Sequence, residues 1–295
     1  MDIDWSLYLS DNTFAANELG RMLNAGELAL FVGAGISLDH GAPSWHGLAR
    51  LMAKRTGVES AGINRKAASG AELAKVFNKI SRNTEDFKKL VKDCLYYRWS
   101  PKTGNWGSDT LVALGALMSG NYRGRIETVL SLNFDSILEM YLRLYGSIPQ
   151  SITSFPHLSK RADVHIFHSH GYLPYDEAEH GSTDILLSEQ TYLEAIGDTA
   201  DFRRKMMEFV FGQKRFLAIG LSGDDIYSSA VLAHLAKQNA HEGLMGCWIV
   251  GPRVSDDKIA DLKAMKIAAV RLASYKALPE FLFKVARRAA FLMEN

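Results

Sequence analysis

The chain has 295 residues, 47% of them hydrophobic and 23% charged, and its 34 Lys and Arg against 33 Asp and Glu leave a net charge of +1. That length buries a sizeable core without staples, and 14 Phe, 11 Tyr and 5 Trp argue against disorder. The near-neutral balance gives no global drive towards nucleic acid or an anionic membrane. Two cysteines, Cys94 and Cys247, exclude a four-cysteine zinc site within the chain and argue against a disulfide framework.

The first ten residues carry Asp2 and Asp4 where a secretory signal carries Lys or Arg and a long apolar run. No stretch approaches the ~18 uninterrupted apolar residues of a spanning helix, so the cytoplasm is the expected compartment. A helical pattern at 14–23 and a turn at Ala25-Gly26 precede the first strand-like run, 28–32. Further runs stand at 128–132, 164–167, 184–187, 216–219, 247–250 and 267–272. Continuous apolar runs suit strands buried on both faces, as in parallel sheets, and their alternation with helical patterns predicts a doubly wound α/β fold. Between the first two runs, about 65–118, the patterns at 71–80, 84–97 and 109–118 are helical, with a loop at Lys102-Thr103-Gly104-Asn105. This interval is read as a helical insertion forming a small cap. The segment 281–292, broken by Lys284, Arg287 and Arg288, is read as a closing amphipathic helix.

Ligands of such sheets bind beyond the carboxyl ends of the strands. After the first run stands Gly33-Ala34-Gly35-Ile36-Ser37, followed by Pro43-Ser44-Trp45. Glycines there let backbone amides approach a pyrophosphate, although Leu38 stands where a dehydrogenase fingerprint needs a third small residue. After the second run comes Asn133-Phe134-Asp135, where Asn133 points an amide into the crevice and Asp135 either caps a helix or serves the site. The third ends in His168-Ser169-His170-Gly171. The two histidines have the spacing of a metal pair, but no carboxylate or cysteine cluster completes a ligand set, and no metal is expected. The run 216–219 opens into Gly220-Leu221-Ser222-Gly223-Asp224-Asp225, where one aspartate is expected to cap a helix and the other, with Ser222, to meet ribose or adenine.

In combination and in order, these motifs resemble the sirtuin-like NAD-consuming family. Gly33 to Ser37 is similar to its phosphate loop, Asn133-Phe134-Asp135 to its Asn-x-Asp motif, His170-Gly171 to its His-Gly motif, and Gly220-Leu221-Ser222 with Asp225 to its later Gly-x-Ser turn. The resemblance covers roughly 28–292 and implies one Rossmann-like domain over 1–295. It departs from protein-deacylating sirtuins in three ways. There is no four-cysteine zinc module, Ser44-Trp45-His46 follows Pro43, and Leu132 precedes Asn133. These departures, with Leu187-Ser188-Glu189-Gln190-Thr191-Tyr192, resemble the branch found in bacterial antiviral defence, which hydrolyses NAD+ to nicotinamide and ADP-ribose.

The resemblance implies NAD+ as substrate, Asn133, His170 and Asp135 as catalytic residues, and nucleotide contacts from Gly33, Ala34, Gly35, Ser37, Pro43, Trp45, Gly220, Ser222 and Asp225. Asn133 is expected to position a water or the ribose hydroxyls and His170 to act as general base. Protein deacylation or ADP-ribosyl transfer is the alternative on the same fold. A non-catalytic sensor of NAD or ADP-ribose is the alternative from another class. Since the length is assigned to one catalytic fold, control is expected from homo-oligomerisation and a separately encoded partner, by resemblance a DNA-translocating ATPase of a defence operon. No direct sequence-specific nucleic-acid binding and no membrane binding is expected.

Overall fold

The computed structural model describes residues 3–58, 70–82, 86–102, 104, 106–120, 124–157, 161–223, 225–238 and 243–292. Helices α1 (Trp5–Ser10) and α2 (Asn12–Asn24) lead into β1 (Leu28–Val32), which α3 (Trp45–Thr56), α4 (Gly70–Arg82), α5 (Phe87–Leu95) and α6 (Asp109–Met118) follow. Next come β2 (Thr128–Ser131), α7 (Ile137–Leu144), β3 (Pro149–Ile152) and β4 (Val164–His168). Helices α8 (Glu189–Gly197) and α9 (Phe202–Gln213) precede β5 (Arg215–Ile219). Then α10 (Ile226–Gln238), β6 (Gly246–Val250), α11 (Asp256–Ala264), β7 (Ile267–Arg271) and α12 (Leu278–Phe291) complete the described chain.

All seven strands are parallel, in the order β3-β4-β2-β1-β5-β6-β7. From β1 the chain fills one half of the sheet, then crosses to β5 on the other side of β1. The order thus reverses between β1 and β5, where the crevice of an open Rossmann-like sheet forms. Two apolar layers cover the faces, and β1 shows why its run is unbroken. Leu28, Leu30 and Val32 point into the layer shared with α2, α6, α7 and α12. Ala29 and Phe31 point into the layer shared with α8, α9, α10 and α11. Phe31 meets Phe211, Phe216 and Trp248 edge-on. Burying each such side chain contributes roughly 1.5–3 kcal/mol.

The structure differs from the sequence reading at two strands. Residues 184–187 are not a strand. Leu186 turns into the second layer while Ile185 and Leu187 turn into a third cluster, so a buried loop mimics strand alternation. Conversely, β3 was not predicted, because this edge strand reads Pro-Gln-Ser-Ile and buries only Ile152. The third cluster joins Met52 of α3, Phe77 of α4 and Val91 of α5 to Phe134 and Leu173, just beyond β2 and β4. Helix α6, read with that interval, instead packs on α12 in the first layer. Residues 65–69 and 83–85 of the interval, Thr103 and Asn105 of its loop, and Asp224 lie outside the described residues.

Candidate active site

The glycine turns after β1 and β5 interlock. Gly33 N–H donates to the Ile219 carbonyl at 3.0 Å and Gly35 N–H to the Gly220 carbonyl at 2.9 Å. A Cβ on Gly35 would stand 2.5 Å from Gly220 Cα, and Gly220 itself has φ +70°. Only glycine fits such an approach at these positions. Gly33 and Gly35 thus commit their own amides to the end of β5 and the turn that follows it. Ala34 N–H, which opens the intervening 3-10 turn, has no such bond among the described residues.

A cavity of about 770 Å³ opens over these turns. Gly33, Ala34, Gly35, Trp45, Gly220, Ser222 and Asp225 all line it, beside Leu132 and Tyr192. Trp45 stands edge-on to Phe77, and Ser44 caps α3 by accepting from Gly47 N–H. Pro43, Ser37, Asn133, Asp135 and His170 are not among the lining residues.

Ser37 instead joins the motif after β2. Its hydroxyl donates to Asp135 Oδ1 at 3.1 Å and accepts from Asn133 Nδ2 at 3.3 Å. The same Asp135 oxygen accepts from Ile137 N–H, the first amide of α7, which agrees with the helix-end reading of this residue. Burial pushes the Asp135 carboxyl up to about 6. The charge of Glu139 adds to this effect, and the Ile137 amide and Ser37 hydroxyl oppose it.

His170 is fully buried and its Nε2 stands 2.8 Å from Asp225 Oδ2. Tyr192 donates its hydroxyl to the same oxygen at 2.8 Å, and Oδ1 accepts from Ser228 N–H at 2.7 Å, capping α10. Burial alone would raise the Asp225 carboxyl. The His170 ring beside it and the Ser228 bonds outweigh that and hold it well below the usual carboxylate range. Asp225 was expected by resemblance to contact the nucleotide; here it pins the imidazole and caps the helix, and His170 touches the cavity wall at Asp225 and Tyr192. Gly171, at φ +114°, supplies the turn that carries the ring there. His168 and His170 do not face one another as a metal pair would, because β4 ends at His168 and the rings diverge. His168 turns to Glu139 of α7, at 2.7 Å, and His170 to Asp225. Among the described residues no group of three His, Cys, Asp or Glu side chains could hold a metal ion, and no helix is long and apolar enough to cross a membrane.

Sequence reasoning missed the tie of His170 to Asp225, the bridge that Ser37 makes, and Glu139. The acidic partners stand 55 and 29 residues from their histidines, and neither separation is a motif. No curated protein gives a significant match to the chain. Residues 127–270 match the family model described as a SIR2-like domain, a class that uses NAD+. This span holds Asn133, Asp135, His170, Gly220, Ser222 and Asp225, and leaves the turn at 33–37 outside. Over residues 127–270, somewhat under half of the chain, the protein therefore resembles a SIR2-like domain.

Proposed function

We propose that the protein hydrolyses NAD+ to nicotinamide and ADP-ribose in the cavity above β1 and β5. One observation carries the reading: the turns after β1 and β5 wall one cavity with Gly33, Gly35, Gly220, Ser222 and Asp225, and Asp225 holds the His170 ring at 2.8 Å. The opposite pKa directions of Asp225, held a firm anion, and buried Asp135, raised towards neutrality, agree with divided acid–base work. In the reaction a water oxygen bonds to the anomeric carbon of the nicotinamide ribose. The carbon–nitrogen bond breaks with its electron pair going to the ring nitrogen, so nicotinamide leaves neutral. Asp225, at the cavity wall, stabilises the positive charge that develops on the ribose. The Asp225–His170 pair takes the water's proton as a unit, which keeps His170 in the basic role expected of it. Asn133 aims the water or the ribose hydroxyls, and the 3-10 turn at Ala34 meets the pyrophosphate.

Purified protein incubated with NAD+ tests this. Asn133→Ala, His170→Ala and Asp225→Asn are each expected to cost at least ~100-fold in kcat. Asp135→Asn is expected to remove an inflection near pH 6 from the rate profile of the wild type. Near wild-type turnover in Asn133→Ala and His170→Ala would sink the proposal. The resemblance to the defence branch extends the reading to an effector that depletes NAD+ in phage-infected cells. A homo-oligomer and a separately encoded partner, for which a DNA-translocating ATPase is the candidate, would supply control. A protective effect of the wild-type gene during phage challenge, absent with Asn133→Ala, tests that extension. Release of nicotinamide only with an acyl-lysine peptide would favour the deacylase alternative. Binding of NAD+ without turnover, even with partners present, would favour a sensor.

A further inference from the structure

Where β4 ends against α7 lies a second buried histidine–carboxylate pair that no motif announces. His168 and Glu139 are each 1% exposed, with Nε2 2.7 Å from Oε1. The other ring nitrogen, Nδ1, stands 3.1 Å from the carbonyl oxygen of Asn133. A carbonyl only accepts, so Nδ1 must carry a hydrogen and donate it. The Nε2 contact then needs one further proton, on the ring or on the carboxyl, so the pair holds it between them. Two more contacts restrain the ring and its partner. Tyr172 packs its ring, tilted by 37°, against the imidazole with centroids 4.3 Å apart and donates its own hydroxyl to Glu179 at 2.7 Å. Ser151 of β3 donates to the same oxygen of Glu139 at 3.4 Å.

Asn133 is thus held from three sides. Ser131 Oγ accepts its backbone N–H at 3.1 Å, Ser37 Oγ accepts its side-chain amide, and His168 fixes its carbonyl. Ser131 and His168 are register partners on adjacent strands, and Glu139 stands on α7, whose first N–H donates to Asp135. The sheet and the helix after β2 therefore converge on one peptide group. We propose that His168 and Glu139 are positioning residues: their shared proton locks the carbonyl of Asn133 and so sets the aim of its amide. The inference rests on the reading of Asn133 as the group that orients water or ribose hydroxyls. A misplacement of about 1 Å at such a group costs on the order of 100-fold in rate.

The test uses two double variants in which Glu139→Gln removes the buried carboxylate, so neither leaves an unpaired charge. His168→Asn offers an N–H at the reach of the lost Nδ1, whereas His168→Gln offers one at the reach of Nε2. His168→Gln/Glu139→Gln is expected to lower kcat for NAD+ cleavage by roughly tenfold or more with KM within about twofold. His168→Asn/Glu139→Gln is expected to recover most of that loss. Equal kcat in the two, or a loss that only follows the folded fraction in thermal unfolding, overturns the proposal.

A second readout separates this failure from failure of the hydrolase reading. The side-chain amide NMR signals of Asn133, assigned through Asn133→Asp, are expected to stay one sharp pair in wild type and in His168→Asn/Glu139→Gln. They are expected to broaden or split in His168→Gln/Glu139→Gln. Unchanged signals in both double variants overturn the positioning role even if wild type leaves NAD+ intact.

Discussion

Asp135 offers a prediction in which the site's chemistry shows as a cost to the fold. Its carboxyl, ordinarily near 3.8, is pushed up to about 6 by burial, so the folded protein disfavours the ionised form. The unfolded chain ionises first as pH rises, so this group's contribution to stability is full below about 3.8 and is lost as pH climbs towards 6. That displacement corresponds to about 3 kcal/mol at neutral pH. Asp135→Asn removes that cost. Its carbonyl oxygen still accepts from Ile137 N–H and the Ser37 hydroxyl, so packing and capping survive. Urea unfolding between pH 4 and 8 measures the difference between variant and wild type. The advantage of the variant is expected to grow from near zero at pH 4 to about 3 kcal/mol at pH 8. Taking the difference also cancels the opposing effect of His40, whose burial lowers its pKa and penalises the fold in acid. A variant no more stable than wild type at pH 8, or one with a constant advantage across the range, would refute the reasoning.

Asp225→Asn breaks a buried pair and is expected to cost about 3–5 kcal/mol at pH 7 by chemical denaturation. Because the native carboxyl lies below its usual range, that deficit shrinks as pH falls below about 3.8. Gly35→Ala drives a Cβ against Gly220 Cα at 2.5 Å and is expected to lower stability by about 2 kcal/mol or more. Gly212→Ala, exposed on α9 with nothing within 4 Å of its Cβ, is expected to gain up to about 1 kcal/mol in the same assay. Cys94 and Cys247 are both buried, and burial raises their thiols, so a thiol reagent is expected to label them only after unfolding.

Strands buried on both faces were legible because every residue of runs such as 28–32 and 247–250 is apolar. What the pattern could not separate is a strand from a loop pressed between two clusters, and 185–187 is such a loop. The edge strand β3 escaped because its outer residues meet solvent and need not be apolar. At the site, glycines, Asn, Asp and His all follow strand ends, so residue types and order alone locate these groups at the carboxyl edge of the sheet. Their hydrogen bonds were not legible. Asp225 stands in a glycine turn that looks like a nucleotide contact, and only tertiary folding brings His170 and Tyr192 to its Oδ2. Ser37 looks like part of a phosphate loop, yet its hydroxyl is committed to Asn133 and Asp135. Local spacing identifies which groups gather at a sheet edge. Which of them face the cavity depends on contacts between distant segments.

The most direct test of the central claim is incubation of the purified protein with NAD+ and identification of the products by chromatography. Nicotinamide and ADP-ribose in equal amounts, without any acyl-lysine peptide and abolished by Asn133→Ala, are the predicted result. NAD+ recovered intact, with or without partner proteins, would contradict it.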